Sequence, residues 1–96
     1  MQEEKIDIHL SEDVAQGVYS NLAIITHSHA EFVVDFVSLM PGIPKGTVRS
    51  RIILTPQNAK RLLHALNENI QKFEQKNGQI QDNAPQMIPV LGNTGG

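Results

Sequence analysis

Residues 51–78 read RIILTPQNAKRLLHALNENIQKFEQKNG, and the reading of this stretch decides the fold. An apolar, β-branched run ends at Leu54, and a strong helix pattern begins two residues later. Thr55 is placed to cap that helix, its hydroxyl accepting from an amide of the first turn. Pro56 then falls at the first helical position, where its fixed φ helps and its missing N–H costs nothing. Ala59, Leu62, Leu63, Leu66, Ile70 and Phe73 recur at helical spacing and form one apolar stripe. Lys60, Arg61, His64, Asn67, Glu68, Gln71 and Lys72 fall on the other side and read as a solvated face. Asn77-Gly78 supplies a left-handed stop. A helix of about 20 residues is roughly 30 Å long, enough to cross a small sheet.

Upstream, the pattern has the period of strands. In residues 5–10, Ile6, Ile8 and Leu10 alternate with Lys5, Asp7 and His9, which predicts a half-buried strand. Ser11-Glu12-Asp13 reads as a turn. Residues 18–27 and 31–39 read as two further strands, joined by a hairpin at His27-Ser28-His29-Ala30. Pro41-Gly42-Ile43-Pro44-Lys45-Gly46 is a loop. Residues 47–54 form a fourth strand that feeds the helix. Strands in a run followed by a helix predict an α+β domain of two layers. Its sheet is a four-stranded antiparallel meander, and one long C-terminal helix packs on one face. Residues 1–78 form the single domain, with residues 1–4 loose. Residues 79–96, amide-rich and broken by Pro85 and Pro89, form a flexible tail. Its one apolar patch, residues 87–91, is the part that could dock.

Composition narrows the function classes. With 96 residues the chain has room for one modest core. A formal net charge of -2 and only four aromatic residues among Phe, Tyr and Trp argue against a nucleic-acid surface. The absence of cysteine removes disulfides, thiolate metal sites and cysteine nucleophiles. The opening MQEEKIDIHL is charged and lacks an apolar h-region, and no apolar run is long enough for a bilayer, so a cytoplasmic protein without membrane contact is expected.

Few residues suggest chemistry. His27 and His29 share a side if extended and are weak metal-ligand candidates, with His9 or His64 to complete a site; a polar hairpin tip explains them better. None of Ser11, Ser20, Ser28, Ser38 and Ser50 lies in a nucleophile elbow, and no phosphate-binding glycine motif is present. Amides around Pro41-Gly42 and Lys45-Gly46 could cradle an anion, although a rigid connection explains them as well. No catalytic residue, cofactor or resident metal is expected. Arg49 and Arg51 project from one side of their strand, and Asp35 is placed to neutralise one of them across the sheet. An anion or nucleic-acid contact by Arg49, Arg51, Lys60 and Arg61 is the lesser alternative.

Several of these residues together resemble a known family. They are Asn21, His27-Ser28, Glu31-Phe32, Asp35-Phe36 and Pro41-Gly42, then Ser50-Arg51-Ile52, Thr55-Pro56, the run from Ala59 to Leu63, Leu66 and Asn69-Ile70. The chain is similar over residues 17–75 to bacterial proteins grouped as Domain of Unknown Function 3467. That resemblance implies no activity and carries over no functional residue. The order of four strands and a helix also resembles SecB-type export chaperones, at the level of fold and without a shared motif.

Parity within the strands points to assembly. One helix covers one face of a sheet. Alternation assigns Val18, Leu22, Ile24, Phe32, Val34, Phe36, Val48, Ile52 and Leu54 to that face. The opposite set keeps Tyr19, Ala23, Ile25, Val33, Val37, Leu39 and Ile53, interrupted by Asn21, Asp35, Arg49 and Arg51. So large an apolar face is unusual on a soluble monomer. A non-enzymatic protein is therefore expected, acting through self-assembly or a protein partner, as a two-fold homo-oligomer (a dimer or tetramer). Its expected interface comprises Tyr19, Ile25, Val33, Asp35, Val37, Arg49, Arg51 and Ile53. A chaperone-like binder of extended peptide is the alternative, and a histidine metal site or a nucleic-acid adaptor ranks below both.

Overall fold

The structure, a computed structural model, describes residues 5–82. In order, the elements are α1 (Glu12–Ala15), β1 (Leu22–His27), β2 (Phe32–Ser38), β3 (Thr47–Leu54) and α2 (Pro56–Asn77). The strands form one antiparallel sheet in the order β1-β2-β3, the expected meander. The chain is thus α+β, with three strands rather than four. The expectations for residues 1–4 and 87–91 lie outside the described residues.

The missing strand is residues 5–10, which precede α1 without pairing. Ile8 is 89% exposed. The alternation there suits a strand, but the following residues turn the chain into a helix instead of a hairpin. Ser11 caps α1, its Oγ accepting from the Val14 amide at 3.3 Å while its carbonyl accepts from Ala15 N. Alternation gives a segment a face; it does not supply an edge to pair with.

The two β connections follow from their residues. Between β1 and β2, Ser28 Oγ accepts from the amides of Ala30 (3.1 Å) and Glu31 (3.2 Å), and Ser28 N donates to Glu31 O. The hydroxyl satisfies two loop donors and fixes a tight hairpin. Between β2 and β3, Ile43 N donates to Met40 O across Pro41-Gly42, and Gly42 has φ +79. Proline then glycine at positive φ is the pairing a type II turn selects. Gly46 lies close to its neighbours: a Cβ there would meet Leu39 Cδ2 at 2.8 Å and Val37 Cγ1 at 3.0 Å, so those side chains would have to shift.

β1 starts at Leu22, later than residue 18, because side chains take over the pairing. Asn21 Oδ1 accepts from Leu39 N (2.8 Å) and its Nδ2 donates to Leu39 O (3.0 Å). Its amide stands in for one more rung of backbone. Ser20 Oγ donates toward both Leu22 O and Val37 O.

α2 begins and ends as its sequence dictates. Thr55 Oγ1 accepts from Asn58 N at 3.1 Å, Pro56 opens the helix, and Gly78 closes it with φ 89 and an amide that donates to Glu74 O. The expected packing on the sheet is absent, and no α2 residue is buried. Leu63 is 62% exposed and Leu66 54%. Among the described residues only Val34 (6%) and Val37 (4%) are buried hydrophobics, one on each face of the sheet.

The cause lies at the junction. β3 ends at Leu54 and α2 begins at Pro56. Thr55 must be extended, both as N-cap and as the residue before proline, and its φ, ψ of -69, 156 are so. No other residue separates strand from helix to turn the chain back.

Candidate assembly surfaces

Strand register sorts the apolar residues into two faces. Across β1 and β2, Ala23 faces Phe36, Ile25 faces Val34 and His27 faces Phe32. Across β2 and β3, Phe32 faces Leu54, Val34 faces Ile52 and Phe36 faces Ser50. Directly opposed residues share a face, so these nine form one surface, called here the phenylalanine face. None of the nine is Asp, Glu, Lys or Arg. His27 stands at its corner, stacked on Phe32 with ring centroids 5.3 Å apart.

The other face is mixed. Leu22, Ile24 and Thr26 share it with Val33, Asp35 and Val37, and with Val48, Arg51 and Ile53. At its centre Arg51 Nε and Nη2 donate to the two Asp35 carboxylate oxygens, at 2.6 and 2.8 Å. The fork matches the carboxylate geometry. The Asp35 side chain is 14% exposed and that of Arg51 64%. Hydrogen bonding from the guanidinium holds the Asp35 carboxyl below the usual carboxylate range, and Asp35 in turn raises Arg51. The expected cross-sheet pair is thus present, and both Asp35 oxygens are engaged within the chain.

The parity sets need two corrections. The turn between His27 and Phe32 pairs odd residues of β1 with even residues of β2, so Ile25 lies with Val34 and away from Val33. A register shift at Phe36/Val37 leaves Arg49 as the extra residue of β3 and moves Val48 to the face of Val37. A bulge has this effect by placing two residues opposite one. Of the expected interface, Val33, Asp35, Val37, Arg51 and Ile53 come together. Ile25 is on the opposite face, Arg49 sits in the bulge, and exposed Tyr19 precedes β1.

A third surface is the helix stripe itself, which the sequence pattern assigned to packing on the sheet. The stripe of Leu62, Leu63, Leu66, Ile70 and Phe73 is covered by no layer among the described residues and carries no charge. The signal was present in Thr55-Pro56, which leaves no free connecting residue.

Among the described residues the histidines lie on different elements. His27 is on the phenylalanine face, His29 in the turn and His64 exposed on α2. Among the described residues no three of His, Cys, Asp and Glu lie together as metal ligands would. Lys60 and Arg61 lie exposed on α2. No described helix is long and apolar enough to cross a membrane.

The model of the family described as "Protein of unknown function (DUF3467)" matches residues 1–82. No curated protein and no solved structure matches the chain.

Proposed function

This chain belongs to the DUF3467 family, and from that premise we propose that it is a non-enzymatic protein whose working form is a two-fold homo-oligomer. The observation that carries this reading is the two-residue core. Among its described residues the chain buries only Val34 and Val37 and leaves most of its large hydrophobics exposed. Folding requires burial to offset chain entropy of about 1–2 kcal/mol per residue, at about 25 cal/mol for each Å² buried. A second copy is the commonest source of further burial.

The location of the contact changes with the register. Asp35 and Arg51 neutralise each other within one chain, so they have no unmet charge with which to fix a partner. The neutral phenylalanine face and the neutral α2 stripe are better surfaces for burial, since neither takes a charge out of water.

Dye binding tests the reading against the peptide-binding alternative. A closed assembly leaves little open apolar surface and gives weak fluorescence with a hydrophobic dye. Strong dye binding by an assembled protein, relieved by an added unfolded polypeptide, would favour a chaperone-like binder instead.

A further inference from the structure

We infer that α2 of one copy lies on the phenylalanine face of a second copy, whose α2 lies on the first in return. The inference rests on the self-assembly reading and specifies its interface. Three features point to this occupant. The first is the junction. Thr55 is the single residue between β3 and α2, held extended by Pro56, and α2 buries no residue on its own sheet. An element with a short rigid hinge and an uncovered face meets the same need by exchange with an identical chain.

The second is chemical match. The stripe is Leu, Ile and Phe, and the face is Phe32, Val34, Phe36, Ile25, Ile52 and Leu54. Neither side brings a charge into the contact. The face across the sheet centres on the Asp35–Arg51 pair, which an apolar stripe would desolvate while offering it no new hydrogen bond.

The third is size. From Ala59 to Phe73 the stripe runs about 21 Å at the helical rise. β2, at the middle of the face, has seven residues and spans about 20 Å from first to last at the strand rise. The stripe reaches across the face without leaving large apolar overhangs. Each chain carries one stripe and one face, so a reciprocal pair closes on itself and does not propagate.

The absence of native cysteine makes the test direct. The full chain carrying Ile25→Cys and Leu66→Cys is treated with a thiol cross-linker of about 10 Å reach and run on a denaturing gel, beside each single variant, with mass in solution measured first. The exchanged arrangement gives a covalent dimer from the double variant and a much weaker one from either single variant. A double variant linked only within one chain means that the helix folds back on its own sheet and overturns the inference. Linking by Leu66→Cys alone means that helix meets helix, and linking by Ile25→Cys alone means that sheet meets sheet; either overturns it while leaving self-assembly standing. No covalent dimer from an assembled double variant overturns it as well. A single-chain mass before cross-linking overturns the self-assembly reading itself.

Discussion

The sheet and α2 are held by different means. β1 to β3 complete one another inside the chain: Ser28 closes one turn, Gly42 the other, and Asn21 extends the pairing past the end of a strand. α2 is also complete along its backbone, capped by Thr55 and stopped at Gly78. Its side chains are not, since it buries none of its 22 residues. Hydrogen bonds and caps fix where an element begins and ends. Packing supplies most of the stability of a helix in water. The contrast shows that a helix can be fully specified by local chemistry while the rest of the described chain leaves its apolar face uncovered.

The sharpest way to break the comparison is to charge the helix stripe. Leu66→Asp is expected to leave a single-chain mass at micromolar concentration, since one unpaired carboxylate would be buried at the contact. The milder Leu66→Ala should cost about 2–5 kcal/mol in denaturant unfolding of the assembly. Asn67→Ala, one residue away on the polar side, should cost less than about 0.5 kcal/mol. Equal effects at the two positions would remove the stripe from any interface. Val34→Ala probes the sheet, whose core lies within the chain. A cost of about 2 kcal/mol is expected from the lost methyl groups and the cavity left behind. Thr55→Ala should cost about 1 kcal/mol through loss of the cap, read as a shift of the unfolding midpoint.

The smallest effect belongs to the Asp35–Arg51 pair, whose guanidinium is largely in solvent. The folded-state pKa of Asp35 is lowered, so its pairing contributes stability above the unfolded value of about 3.9 and loses it as pH falls through the folded value. Unfolding midpoints of the native chain and of Asp35→Asn should therefore differ at pH 7 and converge in acid. A difference that persists unchanged below pH ~2 would contradict the pairing as its source.

How much of this was legible in the sequence varies from residue to residue. The helix ends were, because Thr55, Pro56 and Gly78 act on their immediate neighbours. So were β3, the antiparallel order, and the pairing of Asp35 with an arginine across the sheet. The phase of β1 against β2 was also written in the chain: four residues separate His27 from Phe32, which pairs odd positions with even ones. The bulge at Arg49 was not, because nothing in its neighbours requires an extra residue there. The six residues from Lys5 to Leu10 alternate as a strand does, yet pairing is a property of an available edge and cannot be read from one segment. The uncovered stripe was misread for a related reason. Amphipathicity shows that a helix needs cover and leaves the source of that cover open.

Mass in solution tests the central claim most directly. Sedimentation equilibrium of the full chain at micromolar concentration is expected to give an even multiple of the 10.6 kDa chain mass. A native chain sedimenting as a folded, cooperatively unfolding species of 10.6 kDa would contradict it.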